Sequence, residues 1–296
     1  MQEIKEIEEI KSNKLLQIDG LLEATICKRP SKVIKSPYVA DAIIIDTNEE
    51  IIAHTAALGC CGLADIGATV LLSPMPKNKS CSKTQKCSHR VFLSIFREKN
   101  EEIIIGIHPK LAEELAENAL KGNFLSNLKN IKRYKRETCI YVENKVDSRF
   151  DFAGIDENNI PFIMEIKNVP LADYEDITSK NRKNKNYDDC DFNTKVAYFP
   201  DGYRKKTTDT VSPRALKHVK ELTLIKKESK TRCILCFVIQ RTDVNRFQPS
   251  IIDPEYRNAV KEAIDAGVEI LTLVVKWTKN GEAYFVRDDL PITSFD

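Results

Sequence analysis

"SRFDFAGIDENNIPFIMEIKNV", residues 148–169, reads as two apolar runs separated by a polar turn, and each run carries charge in its interior. Asp151 sits between Phe150 and Phe152, while Glu165 and Lys167 interrupt a run of Ile163, Met164, Ile166 and Val169. A strand turns successive side chains to opposite faces, so Phe150 and Phe152 are expected on one face and Asp151 on the other. In the second strand Ile163, Glu165 and Lys167 share a face, opposite Met164, Ile166 and Asn168. With Glu157–Asn159 as the turn, the two strands lie side by side and bring Asp151 near Glu165, with Lys167 one pleat further along.

Charge on strands bound for a core needs compensation, because a buried ion is unfavourable unless it is paired, hydrogen-bonded or metal-bound. Two neighbouring carboxylates repel, and a hard cation between them, Mg2+ or Mn2+, removes the repulsion. A metal held this way stabilises charge developing on a phosphodiester, and Lys167 beside it would orient or deprotonate an attacking water or neutralise the phosphorane. Asp, a variable gap and then Glu-x-Lys is the spacing of the D-(D/E)xK phosphodiesterases. The same letters also describe an Asp at a strand edge and an exposed Glu–Lys pair, so the motif alone leaves both readings open.

With 296 residues and 42% hydrophobic content, the chain can bury a large core. Its 46 Lys and Arg against 44 Asp and Glu leave a net charge of +2, so attraction to nucleic acid must come from local clusters. The opening "MQEIKEIEEIKSNKLLQIDG" has no apolar signal region, and no later run reaches membrane-spanning length. The expectation is a soluble intracellular protein, cytoplasmic or nuclear, with no membrane partner. No phosphate-binding P-loop or dinucleotide fingerprint is present, which argues against nucleotide-driven chemistry. Nine cysteines at irregular spacing imply reduced thiols. Cys233 and Cys236, a CxxC in the apolar run "CILCFVIQ", read as buried strand thiols rather than as a zinc or redox pair, and Cys81 and Cys87 as reduced thiols of a polar loop.

Three segments follow from the pattern. Residues 1–20 carry Ile and Leu at helical spacing among charges and predict a short helix or a frayed tail. Residues 21–107 hold five or so short strand-like runs separated by turn signals, which predict a small barrel or sheet. Residues 108–296 start with a helix after Pro109 that ends near Gly122. They continue as three strands, a long polar loop, helix 212–228, a strand, helix 253–267 and a strand at 268–278, a mixed α/β arrangement. The loop 173–197 is too polar to bury surface, and its charge blocks predict solvated disorder.

On helix 212–228, Arg214, His218 and Glu221 fall on one stripe and Leu216, Val219 and Leu222 on the buried one, with Ser212 as N-cap. A lone helical His is ordinarily solvated or capping; Arg214 at a helix N-terminus suits phosphate. "KGNFLSNLKNIKRYKR" presents Lys129, Lys132, Arg133, Lys135 and Arg136 with Tyr134 available for stacking, and "YRKKTTDTVSPR" presents Arg204, Lys205 and Lys206. Both clusters flank the charged strands and are candidate nucleic-acid contacts. On the N-terminal strands, Tyr38 and Phe92 are the aromatic candidates for a stacking surface.

"SRFDF", "MEIKNVPL", "YFPDG", "RALKHVKEL", "FVIQRTDVNRFQPSIIDPEY" and "AIDAGVEIL" occur in the order seen in the sugar fermentation stimulation protein A family, which the chain resembles from about residue 131 onward. The resemblance implies an OB-like β-barrel domain followed by a D-(D/E)xK restriction-endonuclease-like domain with a mixed sheet, α/β in class and α+β overall. It also implies DNA as partner, RNA as an alternative, and metal-dependent nuclease activity. Carried over residue by residue, it makes Asp151 and Glu165 metal ligands and Lys167 the catalytic lysine, with Glu137, Asp201, Arg214 and His218 as accessory candidates. "EIIAHTAALGCCGLADIGATVLLS" departs from the family's His-x-Pro-Asn-x-Gly stretch, Arg214-Ala215 replaces its Arg-Gly, and the loop before "YFPD" is longer than usual. A rival expectation is a DNA-binding regulator that uses the nuclease-type domain only as a scaffold.

Overall fold

A computed structural model describes residues 13–55, 61–76, 86–202 and 209–295. Strands β2 (Leu22–Lys28), β3 (Val39–Ile44), β4 (Glu50–His54), β5 (Thr69–Pro74) and β6 (His89–Glu98) follow a short β1 (Lys14–Gln17). Antiparallel pairing runs β4-β3-β2-β5-β6, and β4 then pairs parallel to β6 through Ala53–His89 and His54–Arg90, closing a five-stranded barrel. Its interior alternates small and large side chains, with Ala24, Ala40, Ala42 and Ala53 beside Ile26, Ile51, Val70, Leu72 and Val91. This is how a narrow OB-like barrel fills its taper.

Strand β7 (Glu101–Gly106) forms a hairpin with β6 and leads into α1 (Pro109–Lys121). An antiparallel meander follows, β8 (Arg133–Val142), β9 (Val146–Ile155) and β10 (Pro161–Val169). After β11 (Ala172–Asp173), α2 (Ser179–Arg182), β12 (Lys195–Phe199) and α3 (Pro213–Glu228), strand β13 (Arg232–Ile239) returns parallel to β10. Then β14 (Val244–Pro249) and α4 (Pro254–Asp265) lead to β15 (Glu269–Trp277), parallel to β13, and β16 (Glu282–Arg287), antiparallel to β15. The result is a mixed sheet with α1 on one face and α3 and α4 on the other. β11, β12 and β14 make a separate three-stranded sheet.

The barrel and the mixed sheet share material. Leu171 and Tyr198 pack into the barrel core. Ile104 of β7 pairs with Trp277 of β15, so one continuous sheet runs through both parts. Gly106 permits this approach: a Cβ there would stand 1.7 Å from Gln240 Oε1 and 2.6 Å from Trp277 Nε1, and the Trp277 indole N–H donates to Gln240 Oε1 at 2.9 Å.

Two expectations are corrected. Where a helix or tail was predicted over 1–20, residues 14–17 form β1 and pair with β16, burying Leu15; residues 1–12 lie outside the described residues. The helical spacing of the apolar residues is outweighed by an open sheet edge that accepts a strand. The two ends of the loop 173–197 are packed, while its middle, from Lys183 to Asp191, is largely exposed. Its buried Asp176 accepts from Gln248 Nε2 (2.6 Å), Ser250 Oγ (2.8 Å) and the Ile251 N–H (2.9 Å). Lys195, 2% exposed, pairs with Glu98 of β6 at 2.9 Å and with Asp243 at 3.1 Å, and its ammonium lies 3.7 Å from the centre of the Phe192 ring. Asp243 is held in turn by Arg241 at 2.6 Å. Asp176 and Lys195 are thus matched by partners distant in sequence, while Glu175 pairs with Lys185 and Asp173 with Arg182 inside the segment.

Cys233 and Cys236 are buried on β13 and belong to opposite cores, so their thiols face away from one another. Cys81 lies outside the described residues, and Cys87 is a partly buried thiol. Among the described residues no helix is long and apolar enough to cross a membrane.

Replacing Asp176 with Ala strands several buried donors, and the loss expected is about 1–3 kcal/mol in urea unfolding. Limited proteolysis of that variant should cut within 173–197 before the rest of the chain. Wild-type resistance there would show that Asp176 does not hold the loop.

Candidate active site

The β9–β10 ladder runs from Ile155–Pro161 to Phe152–Met164 and stops one pair short of Asp151 and Glu165. There the strands part, and the Asp151 Oδ2 instead accepts the Ile166 N–H at 2.7 Å. On the other side of β9, the register with β8 runs Arg136–Phe152 and Thr138–Phe150 without including Glu137 and Asp151. Glu137 has a φ of +49°, a left-handed conformation unusual for a side chain with a Cβ. Phe152 joins the core under α1, whereas Phe150 joins the core under α3. Plain alternation, which puts both phenylalanines on one face, is therefore overturned. The face changes at Asp151, and such local irregularities re-aim a side chain where a strand leaves its ladder.

Glu165 is 4% exposed and projects toward α3. Its Oε1 accepts from both Lys167 Nζ and His218 Nδ1, while its Oε2 is buried with no partner. Burial pushes this carboxyl up, but Lys167 and His218 outweigh burial and hold it below the ordinary range. Asp151 is moved the other way, pushed up to about 7 by burial and then by the Glu165 carboxylate, against the opposing pull of the Ile166 N–H and Lys167. Two acids side by side, one ionised and one reluctant to ionise, are what crowded carboxylates without a cation show.

His218 is not solvated or capping, as a lone helical His was expected to be. It is 4% exposed and packs its ring against Phe150, centroids 5.6 Å apart, while gripping Glu165 from behind. Glu221, on the same stripe, is also buried and accepts the Asp147 N–H at 3.0 Å. His218 and Glu221 therefore anchor α3 to β9 and β10, while Arg214 at the start of the stripe stays exposed. Ser212 occupies the N-cap of α3 but makes no capping hydrogen bond.

A cleft of about 330 Å³ opens over the two acids, lined by Asp151, Glu165, Lys167, Glu113, Asp201 and Arg214 among others. Asp201 also accepts from the Cys61 thiol at 3.7 Å; burial and then Asp201 push that thiol up to about 11. Glu137 is exposed, pairs with Arg149 at 3.4 Å, and lines an adjoining cleft of about 350 Å³ with Asp151, Glu113 and Arg214. Glu113 of α1 is the residue that sequence reading missed. It raises the Asp151 carboxyl further and accepts from Arg136 at 3.0 Å. Nothing in its local pattern, a Glu in a helical "AEEL", distinguishes it from a solvated surface acid.

The basic candidates divide. Lys129, Lys132, Arg133 and Lys135 are exposed along β8 and the segment before it. Arg136 is instead half-buried in ion pairs with Glu113 (3.0 Å) and Glu117 (2.6 Å), and Tyr134 donates to Glu117 at 2.7 Å, so neither is free for a strand. Arg204, Lys205 and Lys206 lie outside the described residues. Among the described residues no group of three or more His, Cys, Asp or Glu side chains is set to hold a metal. What fits a cation is the Asp151–Glu165 pair with the unpartnered Glu165 Oε2, a sparse donor set of the kind Mg2+ accepts when water supplies the remainder.

Residues 183–281 match the model of the sugar fermentation stimulation protein RE domain. A sugar fermentation stimulation protein homologue of Prochlorococcus marinus (strain MIT 9301) is 30% identical over 268 residues, covering 87% of this chain and 90% of the relative. A homologue from Alteromonas mediterranea is 30% identical over 257 residues, covering 85% and 89%. SfsA of Pyrococcus furiosus, solved in complex with Ca2+, superposes with a TM-score of 0.70 at 20% identity over 95% of this chain and 99% of that one. Barrel, mixed sheet and near-complete coverage agree, and the chain belongs to the sugar fermentation stimulation protein A (SfsA) family.

Proposed function

We propose that this protein is a nucleic-acid-binding, metal-dependent phosphodiesterase, with Asp151, Glu165 and Lys167 at its centre. The observation that carries the reading is the buried Glu165 carboxylate, with one oxygen taken by Lys167 and His218 and the other unpartnered beside Asp151. Asp151 and Glu165 would hold the cation, Mg2+ or Mn2+. When bound, it supplies Lewis-acid stabilisation of charge developing on a phosphodiester oxygen. The Ca2+ complex of the Pyrococcus furiosus relative is consistent with a divalent ion on this fold.

The chain's own groups then divide the work. Lys167 keeps its ammonium on Glu165 and at the cleft, where it orients a water or meets the negative phosphate. Arg214, exposed in the first turn of α3 and lining the cleft, binds a neighbouring phosphate. His218 lies behind Glu165 against Phe150 and is a positioning residue that fixes the carboxylate, not a base toward substrate. Glu113 and Asp201 add negative charge at the rim that a cation would offset. The exposed Lys129, Lys132, Arg133 and Lys135 supply a basic edge along β8 for a DNA or RNA backbone.

Incubation with single-stranded and duplex DNA plus Mn2+, with RNA as competitor, tests the reading. Asp151→Asn and Glu165→Gln should each lower cleavage on the order of 10²–10³-fold, comparable to losing a group that stabilises transition-state charge. Cleavage surviving in both variants would remove the site from the mechanism, and tight binding by wild type without cleavage would favour a regulatory protein on the same fold.

Metal binding has a separate readout. Mn2+ at about 100 times its Kd should stabilise wild type by about 2.7 kcal/mol in thermal unfolding, and the gain should vanish in Asp151→Asn. His218→Gln should lower metal affinity or activity about 10–100-fold, as loss of a ligand-orienting partner does. An unchanged metal response in His218→Gln would limit His218 to packing.

A further inference from the structure

On the outer wall of the barrel, beside the cleft, three buried side-chain nitrogens meet without a hydrogen-bond partner. His54 and Arg90 are paired neighbours on β4 and β6, on the face pointing away from the barrel core. His108, 7% exposed, is the residue just before α1, and its ring lies against Phe92, centroids 5.2 Å apart. His54 Nδ1, Arg90 Nε and His108 Nδ1 are all buried and all without a hydrogen-bond partner. Folded chains rarely leave one such atom unsatisfied, and here three converge.

The charges around them have one sign. Burial and then Arg90 hold His54 below its ordinary range, and burial followed by Arg90, His54 and Lys110 holds His108 down at about 4. Among the described residues no carboxylate acts on either ring, so a cation would be repelled by Arg90, and each neutral imidazole has one N–H to offer. Neutral imidazole N–H groups around a guanidinium match the oxygens of an anion.

Position completes the case. Ile107 and Pro109, on either side of His108, line the cleft over Asp151 and Glu165. Lys110 lines the adjoining cleft beside Asp151 and Arg214. A chain leaving the acids across the start of α1 would therefore pass Lys110 and reach His108, Arg90 and His54.

We propose that His54, Arg90 and His108 form a phosphate subsite on the barrel wall that grips the nucleic-acid backbone next to the phosphodiester lying in the cleft. The inference rests on the phosphodiesterase reading for its choice of ligand and adds the barrel's part in it. Of the two aromatic candidates on this barrel, Phe92 is partly buried against His108, while Tyr38 is exposed.

Binding of a fluorescein-labelled single-stranded DNA of about 16 nucleotides is measured on the full chain by anisotropy, in EDTA and over a series of KCl concentrations. Arg90→Met, which keeps the side-chain stem, should weaken binding about tenfold and reduce the slope of log K against log[salt] by about 0.7, one phosphate contact. Arg90→Lys should retain the slope, and His54→Gln should weaken binding without changing it. Arg90→Ala, with its circular dichroism compared to wild type, guards against a folding effect peculiar to Met.

Equal affinity and slope in wild type and both neutral variants would overturn the subsite. If inorganic phosphate still shifts the His108 ring resonance in that case, the cluster is a free-anion site and the strand contact is likewise overturned. Failure of the phosphodiesterase reading looks different: weakened binding in Arg90→Met together with no Mn2+-dependent cleavage by wild type leaves the subsite standing. Absence of any oligonucleotide binding by wild type removes both.

Discussion

A carboxylate deprived of water, Glu165, is balanced by Lys167 and His218 on one oxygen and by nothing on the other. Much of the surrounding architecture serves that imbalance. The β9–β10 ladder ends where the acid begins, β8 and β9 change face together at Glu137 and Asp151, and α3 turns its polar stripe inward to deliver His218. Removing any one of these would either solvate Glu165 or leave its charge uncompensated. Asp151, pushed up to about 7 by burial and by its neighbour, shows the same tension from the other side.

The barrel is more than an appendage to this centre. Leu171 and Tyr198 enter its core from segments that continue directly from β10 and into the cleft wall. Lys195 ties the segment before Asp201 to Glu98 on β6, and Gly106 lets the β6–β7 hairpin press against Gln240 and Trp277. Rim residues on the sheet side are thereby referenced to the barrel wall. A displacement of one part would be felt in the geometry of the other.

Much of this was legible in the chain. The hairpin 148–169, the principal helices and sheet strands from Pro109 to Trp277, and the shared face of Glu165 and Lys167 follow from period-two alternation, helical spacing and turn residues, whereas the short strands 172–173, 195–199 and 244–249 and the strand 282–287 went unread. The family resemblance supplied the OB-like and nuclease-type assignment. Three things were hidden for physical reasons. Alternation assumes a regular strand, so the face change at Asp151 could not be read from Phe150 and Phe152. Charge composition cannot tell a solvated loop from one whose charges are matched by Asp243, Glu98 or Gln248, residues distant in sequence. Glu113 and His218 look like ordinary helical surface residues until the fold turns them inward.

Among the described residues strand β1 pairs with β16 alone, and Lys14 meets Glu282 across 268 positions of chain. A ribosome delivers Glu282 long after Lys14. The barrel strands from Leu22 to Glu98 can pair with one another early, but the β1 backbone waits until β16 emerges. The α3 helix that fixes Glu165 also arrives late. A growing chain thus carries the paired barrel strands long before it carries the complete cleft, and Leu171 and Tyr198 reach the barrel core in between.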